Sequence, residues 1–149
     1  MIRILFLCHG NICRSPMAEF VMRELVRRAG LADKISTDSA AITREEIGHD
    51  MYPPAKKKLT QMKIPYEKRA ARQVTARELR EYDYIYLMDA SNRALLRRLV
   101  GDLGDKAQPL LPDRDIADPW YTGDFDTTFD DISEGCTAAL QTIRALHKI

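Results

Sequence analysis

Apolar residues fill Arg3–Cys8 without alternating with polar ones, the pattern of a strand buried on both faces of a parallel sheet. The period then changes. Ala18, Val21, Met22, Leu25, Val26 and Ala29 recur at helical spacing, predicting one apolar helix face. Ser15 suits the N-cap of this helix, Pro16 its first position and Gly30 its stop, with Arg27 and Arg28 at the negative end of the dipole. Further along, Ile35–Ala41 predicts a second strand and Pro54 to Met62 a helix. Tyr82–Met88 predicts a central strand, Asn92–Val100 the helix after it, and Ala107–Leu111 a fourth strand. Asp113–Asp126 is rich in Asp, Pro and Gly, which predicts a long surface loop of the kind that is often functional. Phe129, Ile132, Cys136, Ala139 or Leu140, Ile143 and Leu146 mark a C-terminal amphipathic helix. Strands alternating with helices predict an α/β fold with a parallel sheet and a ligand site at the strands' C-terminal ends.

Composition narrows the function classes. A chain of 149 residues suits one domain, and 45% apolar with 30% charged residues is an ordinary globular balance. The net charge of +1 gives no global attraction to nucleic acid or anionic membranes, so anion binding must be local. Lys56–Lys58 form a basic run, but consecutive helical residues face different ways, and a solvated helix surface is expected. The apolar run Ile4–Cys8 is far shorter than the roughly 20 residues of a membrane span and lacks the pattern of a signal peptide. Three cysteines, at positions 8, 13 and 136, form neither a disulfide framework nor a zinc spacing, so a reducing, cytoplasmic setting is expected. Cys136 falls on the apolar face of the last helix, and His49 and His147 are expected to face solvent without forming a metal site.

The chemistry concentrates between the first strand and its helix, in Cys8-His9-Gly10-Asn11-Ile12-Cys13-Arg14-Ser15. A loop ending at a helix N-terminus turns free backbone N–H groups toward an anion, with the positive end of the dipole behind them. Gly10 and Asn11 tolerate left-handed backbone, His9 offers its N–H, and Arg14 supplies a planar fork for two phosphate oxygens. A cysteine opening such a cradle is expected as its thiolate, with the Ser15 hydroxyl able to donate to the sulfur. Thiolate beside bound phosphate points to attack on phosphorus and a phosphocysteine intermediate. A lone C-x5-R match is common by chance; the order strand, Cys, Gly-Asn, Arg, Ser-Pro, helix is what gives it weight. The spacing of a nucleotide-binding P-loop is absent.

Cys8–Glu19, CHGNICRSPMAE, resembles the signature of low-molecular-weight protein tyrosine phosphatases. The resemblance runs over nearly the whole chain, through Asp38-Ser39-Ala40-Ala41, Ala71-Arg72-Gln73, Met88-Asp89-Ala90-Ser91-Asn92 and Asp118-Pro119-Trp120-Tyr121. It implies a three-layer, flavodoxin-like domain with a four-stranded parallel sheet flanked by helices. It also implies no metal or other cofactor, and a phosphotyrosine-bearing protein or peptide as substrate.

The resemblance assigns Asp118 as general acid and then base. Pro119 holds its backbone extended, and a dianionic phosphate nearby favours its protonated form. An Asp-Pro in an acidic loop is by itself more often a turn. Trp120 and Tyr121 either line the pocket mouth against a substrate ring or cap the surface. Ile12 projects an apolar side chain suited to a phenyl ring, where the related protein-arginine phosphatases carry Thr. Asn11 and Ser39 match positions that support the loop, although Ser39 could equally be a strand-end serine. Arg69 stands where the family often has His, and Glu45 where many relatives have an aromatic residue. A carboxylate at Glu45 is expected to disfavour acidic phosphopeptides. For Cys13 the resemblance suggests a reversible disulfide with Cys8, while the residues alone fit a buried packing cysteine equally well.

A tyrosine phosphatase, acting as a monomer without nucleic acid or membrane, is the favoured reading. An arsenate reductase on the same scaffold needs further redox cysteines after Tyr82, where YDYIYLMDASN has none. A phosphocysteine carrier or inactive phosphopeptide binder has no use for the acid at Asp118. A protein-arginine phosphatase is the nearest alternative.

Overall fold

A computed structural model describes residues 1–149. The buried apolar run forms β1 (Ile2–Cys8), and the helical stripe after it forms α1 (Arg14–Arg28). Then come β2 (Ile35–Ala41), α2 (Pro53–Gln61), α3 (Ala76–Leu79), β3 (Tyr84–Leu87) and α4 (Ala90–Val100). A 3-10 turn at Gly104–Lys106 leads to β4 (Ala107–Pro109), α5 (Pro119–Thr122) and α6 (Phe125–His147). The four strands pair in parallel in the order β2-β1-β3-β4, so β1 lies between β2 and β3 with its C-terminal end at the switch in strand order.

Period-two alternation along β1 divides its side chains between two cores. Ile4, Phe6 and Cys8 join the layer of α1, α2 and α6; Leu5 and Leu7 join Leu79 and Leu96 of α3 and α4. This is a three-layer α/β fold, matching the expectation. It fixes Cys8 at the end of a strand that has no solvent-exposed face.

Several boundaries differ from the sequence expectation. Helix α1 begins at Arg14 with Cys13 as its N-cap, so Ser15 is a buried helical residue and not the cap, and Pro16 is the third helical residue and not the first. The Asp113–Asp126 segment is not loop throughout: α5 lies within it, and α6 starts at Phe125, capped by Asp124, whose carboxylate accepts from Thr127 N–H. Helix α3 carries no long apolar period; Thr75 and Glu78 define it by a reciprocal capping box. Lys58 is buried and not solvated: its ammonium lies 2.7 Å from Asp126 and over the Phe129 ring, tying α2 to α6. Leu146, expected on the core face, is exposed. Cys136, by contrast, is fully buried, and His49 and His147 are exposed.

The segment after β4 is held close to α6. A Cβ at Gly135 would lie 2.6 Å from Leu110 Cγ and 3.0 Å from its carbonyl oxygen, so only glycine permits this approach. Ile116 then plugs the core, fully buried, contributing on the order of 2 kcal/mol. Its N–H donates to Met88 O at 2.8 Å, while Thr128 Oγ1 donates to Ala117 O at 3.0 Å. Asp118 therefore follows two anchored residues.

Candidate active site

The loop between β1 and α1 is fixed from outside through its carbonyls. Cys8 O accepts from Ile42 N–H, His9 O from Thr43 N–H and Oγ1, and Ile12 O from Tyr52 N–H at 2.8 Å. Asn11 O accepts from Arg69. With the carbonyls engaged outward, none of the N–H groups of residues 9–14 donates to a protein acceptor. They and the start of α1 are therefore left free of protein partners at the place where the sequence predicts an anion cradle. Asn11 has φ 59 and takes the left-handed turn, while Gly10 is not left-handed. Glycine at position 10 instead serves a close approach: a Cβ there would sit 3.2 Å from Glu46 Cγ.

Cys8 Sγ lies in this loop 3.0 Å from Ser15 Oγ and 3.4 Å from Ser15 N. Starting α1 one residue before Ser15 is what brings both donors to the sulfur. Asn11 Nδ2 donates to Ser15 Oγ at 2.8 Å and to Ser39 Oγ at 3.0 Å. Ser39 Oγ in turn donates to Glu19 Oε1 at 2.7 Å, so this strand-end serine is tied by hydrogen bonds to both the loop and α1. Burial raises the pKa of Glu19, against the hydrogen bond from Ser39 that lowers it.

Arg14 is almost wholly buried. Its Nη1 donates to Asp89 Oδ2 at 2.6 Å and to Ile116 O at 2.8 Å, and Nη2 lies 3.5 Å from Asp118 Oδ2. Burial lowers its pKa, but Cys8, Asp89 and Asp118 outweigh that and leave it raised, so the guanidinium is cationic throughout. Asp89 does two jobs, since its other oxygen caps α4 through Asn92 N–H at 2.7 Å. Its place after a central strand and three residues before Asn92 is a cap signal; its pairing with Arg14 has none in the sequence.

Asp118 caps α5, with Oδ1 accepting from Trp120 N–H at 3.1 Å, and Pro119 occupies the first helical position. The pocket over Cys8 is lined by Ile12, Arg14 and Asp118 inside and by Trp120, Tyr121, Glu45 and Glu46 at its mouth. Trp120 is half exposed and braced on Tyr52, with ring centroids 4.7 Å apart. Tyr121 is exposed. His9 does more than present its backbone: its Nε2 lies 2.8 Å from Glu45 Oε2. Cys13 and Cys8 are free thiols, and burial, then the charge of Cys8, pushes the Cys13 pKa up. No group of three or more His, Cys, Asp or Glu side chains is arranged to hold a metal ion.

Residues 3–148 match the family described as low molecular weight phosphotyrosine protein phosphatase. The chain belongs to that family. It is 38% identical over 151 residues to the low molecular weight protein-tyrosine-phosphatase YfkJ of Bacillus subtilis, with 97% of each chain covered. To the low molecular weight phosphotyrosine protein phosphatase of Homo sapiens it is 35% identical over 156 residues, covering 93% of each. The crystal structure of YfkJ gives a TM-score of 0.92 over 97% of this chain and 96% of that one. That of DARP, a Drosophila arginine phosphatase, gives 0.85 at 28% identity, over 96% and 98%. Of the residues singled out from the sequence, Cys8, Arg14, Ser15, Asn11, Ser39, Ile12, Asp118, Trp120, Tyr121 and Glu45 meet at one pocket or its supporting network. Asp89, Glu19 and the Ile116 carbonyl complete it and were not anticipated as site groups.

Proposed function

We propose that this chain, acting as one phosphatase domain, hydrolyses phosphotyrosine monoesters through a phosphocysteine on Cys8. The observation that carries the proposal is the Ser15 hydroxyl 3.0 Å from Cys8 Sγ, on a loop whose N–H groups have no protein acceptor and in a pocket shared with Arg14 and Asp118. With Nη1 committed to Asp89 and Ile116, the Nε–Nη2 edge of Arg14 faces an incoming phosphate. The cradle amides take the remaining oxygens. The Cys8 thiolate attacks phosphorus as the P–O bond to the phenol breaks, and Asp118 gives its proton to the departing oxygen. Water then attacks phosphorus, Asp118 takes its proton, the P–S bond breaks and inorganic phosphate leaves. Ser15 donates to the sulfur in both states, stabilising it as nucleophile and as leaving group.

Phosphate occupying the open edge of Arg14 displaces its contact with Asp118, and the carboxyl then faces anionic charge that favours a held proton. For the substrate ring, half-buried Ile12 and the braced Trp120 offer an apolar wall, which favours phosphotyrosine over phosphoarginine. The same reading has the protein act as a monomer in the cytoplasm, without metal or cofactor, on proteins and not on nucleic acid or membranes.

Hydrolysis of an aryl phosphate in chelator tests the chemistry. Cys8→Ser is expected to abolish turnover and Asp118→Ala to lower kcat about 10²- to 10³-fold. Full activity in Cys8→Ser would falsify the mechanism. A panel of phosphotyrosine and phosphoarginine peptides tests the substrate: faster cleavage of phosphoarginine overturns the tyrosine assignment.

A further inference from the structure

Between the β3–β4 side of the sheet and α6 runs a groove that shares no lining residue with the phosphate pocket. Its volume is about 470 Å³, inside the roughly 300–1,000 Å³ range of small-molecule sites. Side-chain size accounts for it. Where α6 enters the core it carries Ile132, Leu140 and Ile143, but over the groove it presents Ala138 and Thr142, which leave space above Tyr84 and Tyr86 of β3. The tyrosine wall is fixed. Tyr86 stacks on Phe6 at 5.7 Å and on Tyr84 at 6.5 Å, the two tyrosine planes 6° apart, and Tyr84 Oη meets His147 Nε2 at 2.8 Å.

Tyr86 is the group that points to a ligand. The residue is only 8% exposed, yet its hydroxyl has no hydrogen-bond partner in the protein. A sealed hydroxyl in that condition would be a buried unpaired group, and the molecule has none. The Tyr86 oxygen is therefore open to the groove. Burial, then Tyr84 and Cys136, push its pKa up to about 12, so it meets the groove as a neutral phenol able to donate.

The surroundings select the occupant. Strand addition at the β4 edge is opposed, because Pro109 has no N–H and Ala107 O already accepts from Arg93 Nη2 at 2.8 Å. An anion is disfavoured, since the lining has one cation, Lys106, against two carboxylates, Asp83 and Asp105. We propose that the groove is a second ligand site, for a flat neutral aromatic molecule carrying a hydrogen-bond acceptor. Its ring lies between the two tyrosines and Ala138, and its acceptor meets the Tyr86 hydroxyl.

Isoquinoline, neutral at pH 8 and with a single ring nitrogen as acceptor, is the probe, followed by backbone amide shifts of the whole chain. Wild type is expected to show saturable shifts in β3, β4 and the second half of α6, with Kd on the order of 1 mM for so small a molecule. Tyr86→Phe, which removes only the hydroxyl, should weaken binding roughly three- to tenfold. Ala138→Phe, at an exposed helix position, should fill the groove and abolish binding while amides elsewhere keep their positions. The readout needs no phosphatase activity. Absence of saturable shifts in the groove, or shifts confined to the loop around Cys8, overturns the proposal. Equal affinity in Tyr86→Phe overturns the assigned chemistry, and binding that survives in Ala138→Phe overturns the location. Groove shifts that follow protein concentration without probe make a second copy of the chain the occupant, and the proposal then fails.

Discussion

The floor of the site and its mouth are built on opposite plans. On the floor, Asn11, Arg14, Ser15 and Ser39 are buried polar side chains, each hydrogen-bonded to another protein group. No buried side-chain nitrogen or oxygen anywhere in the molecule lacks a partner. At the mouth, Trp120 and Tyr121 are exposed, and Glu45 pairs only with His9 at the surface. A buried network is costly to leave half made, whereas exposed groups can change with little effect on the rest. On the proposed mechanism the floor carries the chemistry and the mouth carries selection among substrates.

Substitutions can break that division. The largest effect is expected from Arg14→Met, which removes the phosphate fork and leaves Asp89 without its partner. Its kcat/KM on an aryl phosphate should fall by about 10³-fold or more, with a lower melting temperature. A loss under tenfold means that the cradle amides alone hold phosphate. Trp120→Ala is expected to raise KM for aryl phosphates by roughly three- to tenfold while kcat stays within about twofold, because a half-exposed ring yields limited contact area. A kcat effect as large as that of Arg14→Met erases the distinction between floor and mouth.

Glu45→Ala should shift the ratio of kcat/KM between basic and acidic phosphopeptides toward the acidic ones by about two- to fivefold, the scale of an exposed charge. An unchanged ratio removes Glu45 from substrate selection. The smallest effect belongs to a three-residue ion cluster remote from both regions. Glu24 accepts from Arg27 at 2.6 Å and from Arg28 at 2.9 Å. The Arg27 hydrogen bond, outweighing burial, takes its pKa from 4.5 to about 2. A depressed carboxylate stabilises the fold above its unfolded pKa and loses that contribution as pH falls through the folded value. Glu24→Gln should thus cost about 1 kcal/mol or less at pH 7, given the exposed arginines. The difference from wild type should vanish as pH drops from 4.5 toward 2, with activity unchanged. Urea melts across that range check it.

How much of this was legible in the sequence depends on the range of the interaction. The strand Arg3–Cys8 and the apolar stripe of α1 follow from local pattern, and with them the cradle at a helix N-terminus. Ser15 shows the limit. By type and place it reads as an N-cap, but its hydroxyl bonds with Cys8 and Asn11, and the helix begins ahead of it without a side-chain cap. Lys58 erred the same way, since nothing local reports Asp126 across the gap to α6. Asp89 and Glu19 were invisible as site groups because their roles depend on Arg14 and Ser39, 75 and 20 residues away in the chain. The Asp118 position came from resemblance; its anchoring by Ile116 and Thr128 needed the structure.

The central claim is covalent chemistry at Cys8, and trapping tests it most directly. Mixing the protein with a fast aryl phosphate, quenching in acid during turnover and mapping the phosphorylated peptide should place the phosphoryl group on Cys8, with a burst of phenol of about one equivalent per site. A quenched enzyme with no phosphoryl group on Cys8 and no burst, while hydrolysis proceeds at the same rate in Cys8→Ser, contradicts the account.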